Sequence, residues 1–151
     1  MTKSHVLEFS LEDVTNDPFL WEHTDPVRPH LNVDFKTALG RGVFGLRDRE
    51  GNFKAFLCWA KTTDVPKNEK ELNSFTSAKG KIAVPYTVWS FEKGAGRRII
   101  QMTLDFFRNT QTANRVVTLS PPSEMARVFH LRNKANELYT SREFVNFEYT
   151  F

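Results

Sequence analysis

The 151-residue sequence contains one cysteine, Cys58, and four histidines that lack the short spacings typical of metal ligands. A lone cysteine cannot form an intramolecular disulfide or a structural zinc site, and this content is typical of a reducing compartment. No apolar run reaches the roughly 18 residues of a membrane-spanning helix, and residues 1–14 lack the apolar core of a signal peptide. We therefore expect a cytoplasmic protein that binds no metal and no membrane.

The sequence also lacks a large excess of positive or negative charge. The 21 Lys and Arg residues exceed the 18 Asp and Glu residues by three, and the two signs are interspersed. This balance does not favour a nucleic-acid partner, because a phosphate backbone attracts a densely basic surface. Hydrophobic residues make up 40% of the chain, with 14 Phe. That content supports a packed core, which we expect in a single domain spanning residues 1–151.

Alternating and apolar segments predict strands, and helical spacing of apolar residues predicts helices. The predicted strands span 5–10, 42–48, 53–63, 82–91, 115–119 and 144–151, with an interruption at Pro85. The predicted main helices span 97–109 and 124–138, with shorter helices around 19–23, within 30–39 and within 64–81. This order of elements indicates an α+β, or mixed α/β, fold.

The second main helix is predicted from a stripe of apolar residues. Val128, Leu131, Ala135 and Leu138 form the expected core face, and Ser120 or Ser123 is a candidate N-cap.

The segment EKGAGRR at 92–98 joins a predicted strand to a predicted helix. Its two glycines allow a tight turn and close approach of a ligand to the backbone. The free N–H groups and dipole of a helix N-terminus favour an anion, and Arg97 and Arg98 add positive charge there. The segment predicts a phosphate or pyrophosphate cradle, although an ordinary glycine turn into a helix has the same pattern.

A long interrupted strand, a glycine turn, a helix, a short strand and a second helix together resemble the GNAT (GCN5-related N-acetyltransferase) superfamily. Its loop reads Arg/Gln-x-x-Gly-x-Gly/Ala; Gly94 and Gly96 match the glycines, and Phe91 replaces the Arg or Gln. The resemblance implies a mixed, mostly antiparallel sheet of about six or seven strands flanked by helices, and coenzyme A or acyl-CoA as substrate. The implied coenzyme A contacts are Lys93, Gly94, Ala95, Gly96, Arg97 and Arg98 for the pyrophosphate, and Val88, Trp89 and Ser90 for the pantetheine.

A narrower resemblance concerns the last third of the chain. TLSPP (118–122), FHLRNKA (129–135) and VNFEY (145–149) resemble three blocks of the malonyl-CoA decarboxylase catalytic domain, which read roughly TLSPIP, FHLxNGA and MVNYxY. The resemblance implies that Ser120 and His130 are the catalytic pair. Lys134 stands where that family has glycine, the two blocks are much farther apart there, and these residues have no counterpart of its large helical domain.

Three functions remain open at this stage. The first is decarboxylation of a malonyl-type thioester, with His130 as an acid that titrates near neutral pH and Ser120 as its partner. The second is transfer of an acetyl group to an amine acceptor, with His130 protonating the leaving thiolate. The third is a catalytically inactive coenzyme A-binding or interaction module. The apolar strand at 144–151 could also pair across a homodimer.

Overall fold

Residues 9–151, which a computed structural model describes, form seven strands and four α-helices. The strands are β1 (Phe9–Asp13), β2 (Arg41–Asp48), β3 (Phe53–Thr62), β4 (Ile82–Ser90), β5 (Arg115–Val117), β6 (Asn136–Thr140) and β7 (Val145–Tyr149). The helices are α1 (Val33–Lys36), α2 (Glu69–Phe75), α3 (Ala95–Thr110) and α4 (Glu124–Arg132), and a 3-10 turn spans Pro18–Leu20. No helix in this part of the chain is both long and apolar enough to cross a membrane.

All seven strands form one sheet in the order β1-β2-β3-β4-β5-β7-β6. Every neighbouring pair is antiparallel except β4 and β5, which are parallel. The expected α+β fold, with a mixed and mostly antiparallel sheet, is therefore confirmed.

The core consists of two hydrophobic clusters on opposite faces of the sheet. One cluster packs β-strand residues such as Leu57 against α3, and the other packs residues such as Cys58 against the segment from Val14 to Phe35 and against α2. Because consecutive residues of a strand point to opposite faces, the doubly apolar β3 is covered on both sides. It lies between β2 and β4, as a strand without a polar face requires.

Most of the predicted elements are present. The hairpin of 42–48 and 53–63 appears as β2 and β3. Helices α1 and α2 lie within the predicted regions, and the 3-10 turn overlaps the region predicted around 19–23. The strand predicted at 5–10 is observed as β1 from Phe9, and residues 5–8 lie outside the described residues.

The prediction of one helix over 124–138 is wrong in its second half. Helix α4 ends at Arg132, and residues 136–140 form strand β6, which pairs with β7. Lys134 has a left-handed backbone with φ of 71°, the N–H of Lys134 donates to the Leu131 carbonyl, and the N–H of Ala135 donates to the His130 carbonyl. This is a Schellman motif, which stops a helix.

The predicted core stripe is wrong within α4, although Ala135, beyond the end of the helix, is buried as predicted. Val128 and Leu131 are 36% and 37% exposed, whereas His130 is the buried residue of the helix. The N-cap is Ser123, whose hydroxyl accepts from the Ala126 N–H at 3.1 Å, and not Ser120.

Lys134 generates a stability prediction. The left-handed conformation costs a residue with a side chain roughly 1–2 kcal/mol relative to glycine, so Lys134→Gly should raise the free energy of unfolding by about 1 kcal/mol. Urea unfolding followed by circular dichroism measures the change. Lys134→Ala is the matched control, because it removes the side chain and keeps the strain. An equal gain in the alanine variant would contradict the explanation.

Candidate functional site

Strands β4 and β5 separate soon after they begin to pair. Their register contains only Ile82 with Arg115 and Ala83 with Val116, and one further backbone bond joins the Leu119 N–H to the Pro85 carbonyl at 3.2 Å. Among residues 9–151, no backbone hydrogen bond crosses the gap beyond that point. We call this gap the splay; it lies between residues 86–90 and residues 120–122.

Two features of β4 produce the splay. Because the Pro85 carbonyl accepts from Leu119, that residue faces β5, where proline has no N–H to donate. Opposite β3, Cys58 pairs with Thr87 and Trp59 pairs with Pro85, so Tyr86 is an extra, bulged residue. The irregularity predicted at Pro85 is therefore confirmed.

The glycine loop lies at the open end of the splay. Gly94 is the N-cap residue of α3; it has a left-handed backbone with φ of 87° and, as a glycine, no side chain to cap the helix. The N–H groups of Gly96 and Arg97 have no acceptor within the described residues. Free amides at the start of a helix are suited to an anion.

The basic side chains of this loop are available to a ligand. Lys93 and Arg97 are exposed, Arg98 is half-buried, and none of them forms an ion pair with residues 9–151. Ala95 and Gly96 are buried, and a Cβ at Gly96 would lie 3.3 Å from the ring of Phe129 in α4. This glycine lets α4 approach the start of α3 closely.

The three predicted pantetheine contacts lie on both faces of β4. Val88 packs on the α3 side, and Ser90 lies beside Gly96 at the exposed end of the strand. Trp89 is buried on the opposite face, where its indole N–H donates to the Thr24 hydroxyl at 3.0 Å. Only two of the three side chains therefore share the face that carries α3 and α4.

His130 is enclosed by aromatic residues of β7. It is 6% exposed, its ring stacks on Phe147 with centroids 5.0 Å apart, and its Nδ1 lies 2.7 Å from the Tyr149 hydroxyl oxygen. That hydroxyl has no other partner within residues 9–151. Because a buried O–H without an acceptor is costly, Tyr149 donates to Nδ1, and the imidazole proton resides on Nε2.

Burial also fixes the charge of this pair. It lowers the pKa of His130 to about 4 and raises the pKa of Tyr149 above its ordinary value. At pH 7 the imidazole is neutral and offers an Nε2–H donor. This differs from the sequence-based expectation of an acid that titrates near neutral pH.

Ser120 lies on the same face of the sheet as His130 but does not touch it through a hydrogen bond. Its backbone N–H and carbonyl both pair with Val145 at 2.9 Å, and its hydroxyl lies 2.8 Å from that of Thr118. Val145, which pairs with Ser120, and Phe147, which stacks on His130, lie two residues apart on the same face of β7. Ser120 is therefore next but one, along β7, to the position that carries the His130 ring. Within the described residues, no hydrogen bond joins the two predicted catalytic side chains.

The three sequence blocks nevertheless converge in space. We call Ser120, His130, Val145, Phe147 and Tyr149 the three-block cluster. The sequence patterns do not single out Tyr149 as a site residue. The signal for it was present, because Tyr149 ends the VNFEY block and alternates with Val145 and Phe147 on one side of the strand.

Other parts of the described chain offer clefts but no metal centre. Among residues 9–151, no three His, Cys, Asp or Glu side chains are grouped so that they could hold a metal ion. A cleft of about 370 Å³ lies between Trp21 and Lys36, on the face opposite α3 and α4.

Comparisons with known proteins identify the fold. No protein-family model matches the sequence, and no curated protein sequence matches it significantly. Among solved structures, malonyl-CoA decarboxylase from Agrobacterium vitis superposes with a TM-score of 0.60 at 17% identity, over 84% of this chain and 37% of that one. The chain therefore spans little more than a third of that decarboxylase.

Two shorter solved structures match almost end to end. The loading GNATL domain of CurA from Lyngbya majuscula has a TM-score of 0.70 at 11% identity, over 94% of this chain and 97% of that one. An acetyltransferase from Bacillus subtilis in complex with CoA has a TM-score of 0.66 at 10% identity, over 95% and 98%. The chain has the GNAT fold, as the sequence resemblance predicts.

The buried histidine makes stability depend on pH. The unfolded chain binds the His130 proton below its ordinary pKa of 6.5, whereas the folded chain binds it only near 4. The free energy of unfolding should therefore fall by about 3 kcal/mol as the pH drops from 6.5 to 4. His130→Gln should lose this part of the pH dependence in urea unfolding, and His23→Gln, at an exposed position, is the control. A histidine ring signal of His130 that shifts in NMR between pH 7 and 6 would contradict the assignment.

Proposed function

We propose that the protein binds an acyl-coenzyme A thioester in the splay and acts on its acyl group at the three-block cluster. One observation carries the proposal: within residues 9–151 the splay has free backbone amides and unpaired basic side chains at its open end, and a buried polar pair formed by α4 and β7 lies next to β5. A ligand with a phosphate group at one end and a narrow, reactive chain at the other fits this arrangement.

The phosphate end of the ligand would bind the glycine loop. Within the range Lys93–Arg98, the free amides of Gly96 and Arg97 would donate to the pyrophosphate, and the side chains of Lys93, Arg97 and Arg98 would add charge. The N–H groups of Ala95 and Arg98 already donate within the chain, to the Glu92 and Gly94 carbonyls. The pantetheine would run along the splay beside Val88 and Ser90, toward the bulge at Tyr86. Strand edges that lack a ladder partner can hydrogen-bond such an amide-containing chain.

The reaction we favour is decarboxylation of a malonyl-type thioester. Its C–C bond breaks, the electron pair forms a thioester enolate, carbon dioxide leaves, and a proton from solvent completes the acetyl group. His130 would donate its Nε2–H to the developing enolate oxygen, and Ser120 would act as its partner through its hydroxyl. A dry site strengthens such a hydrogen bond and favours conversion of a carboxylate to a neutral gas. The convergence of the three decarboxylase-like blocks supports this reaction.

Acyl transfer to an amine is the second candidate. The acetyltransferase from Bacillus subtilis that superposes over 95% of this chain supports it. In that reaction His130 would donate to the leaving thiolate.

Titration with coenzyme A tests the binding site. Replacing Arg97 and Arg98 together by Ala should weaken binding about tenfold or more, because charge-assisted phosphate contacts are lost. Isothermal titration calorimetry measures the dissociation constant. Arg108→Ala, in the last turn of the same helix, is the matched control. Failure of the wild-type protein to bind coenzyme A at millimolar concentration would refute the proposal.

Incubation with malonyl-CoA, followed by mass spectrometry, tests the reaction. We expect acetyl-CoA to form without an amine, at a rate roughly 100-fold lower in His130→Ala and reduced about tenfold in Tyr149→Phe, which no longer holds the imidazole proton on Nε2. Thiol release from acetyl-CoA that requires an amine would favour acyl transfer instead. Binding without either reaction would leave an inactive coenzyme A-binding module.

A further inference from the structure

Arg28 spans the inner end of the splay. Its Nε donates to the Tyr86 carbonyl at 2.7 Å and its Nη2 donates to the Leu119 carbonyl at 2.8 Å. Tyr86 is the bulged residue of β4, and Leu119 follows β5. The planar guanidinium therefore bridges the two strands next to their last mutual backbone bond, between Leu119 and Pro85.

The third nitrogen of this side chain forms an ion pair. Nη1 of Arg28 pairs with the carboxylate of Glu69 at the start of α2, and Glu69 also bonds His30 Nε2 at 2.9 Å. The Arg28 side chain is 11% exposed. All three nitrogens of the guanidinium are engaged, and their partners come from three separate segments of the chain.

Asp25 holds the backbone of Arg28 in place. Oδ1 of Asp25 accepts from the Arg28 N–H at 3.0 Å and from the Thr87 hydroxyl of β4 at 2.9 Å. Oδ2 of Asp25 accepts from Lys36 Nζ at 2.9 Å. Asp25 and Lys36 are both buried. The segment that carries Arg28 is thus held to the same strand that the guanidinium bridges, and the group is preorganised.

We propose that Arg28 is a specificity-determining residue that closes the acyl end of the splay and limits its substrates to thioesters of short acyl groups. This inference rests on the proposed function. An acyl chain that extends inward along the splay would meet the guanidinium between the strands. A long apolar chain could pass only by separating the guanidinium from its carbonyl partners, and burying a charged group without partners is strongly unfavourable. On this proposal acetyl and malonyl groups would stop short of the guanidinium, whereas an octanoyl group would reach it.

Affinities across a series of thioesters test the proposal. We expect the wild-type protein to bind acetyl-CoA and malonyl-CoA at least about tenfold more tightly than octanoyl-CoA, each measured relative to free coenzyme A by calorimetry. Arg28→Met keeps an unbranched apolar stem and removes the guanidinium. This variant should bind octanoyl-CoA at least about tenfold more tightly, relative to acetyl-CoA, than the wild type does.

Glu69→Gln is the matched control, because it loses the ion pair but leaves both carbonyl contacts of Arg28 in place. Its chain-length preference should equal that of the wild type. Circular dichroism and affinity for free coenzyme A establish that the variants are folded. Wild-type protein that binds octanoyl-CoA as tightly as acetyl-CoA would overturn the inference without any variant, and so would an unchanged preference in folded Arg28→Met. Wild-type protein that binds no coenzyme A at all would instead refute the proposed function.

Discussion

The parallel pairing of β4 with β5 lasts for two residue pairs, and the rest of the candidate site depends on its early end. Pro85 presents no N–H to β5 and Tyr86 is bulged, so the strands cannot continue their ladder. The segment after β5 leaves β4 and continues the pairing with β7, where Ser120 pairs with Val145. A local property of two residues in β4 thus opens the sheet, and the pairing with β7 holds Ser120 on the face that α4 covers.

His130 illustrates how tertiary packing decides chemistry. As an exposed residue it would titrate near neutral pH, but Phe147 stacks on its ring and Tyr149 is its hydrogen-bond partner. Desolvation disfavours the imidazolium and lowers its pKa to about 4. The consequence is a fixed dipole with its N–H at Nε2, which suits stabilisation of a developing negative charge better than release of a stored proton.

The sequence predicts those parts of the structure that follow from local pattern. Alternation reveals the β2–β3 hairpin, and Gly94 and Gly96 mark the start of α3. The sequence does not reveal the end of α4, because a lysine rather than a glycine occupies the left-handed position at 134. Without that stop signal, Ala135 and Leu138 continue a helical pattern into what is β6. The pairing of His130 with Tyr149 and the bridge made by Arg28 join residues distant in sequence, which periodicity cannot detect.

Opening a sheet leaves carbonyls without hydrogen-bond partners from the neighbouring strand. Here a donor comes from a segment that is far from both strands in the sequence. The Tyr86 and Leu119 carbonyls would be orphaned at the inner end of the splay, where water has little access and an unpaired acceptor is costly. Arg28 satisfies both, and Glu69 balances its charge. The separation of the strands is therefore stable without a ligand, since the groups that a ligand would otherwise have to pair at that end are already bonded. A preformed gap spares a ligand the cost of opening the sheet.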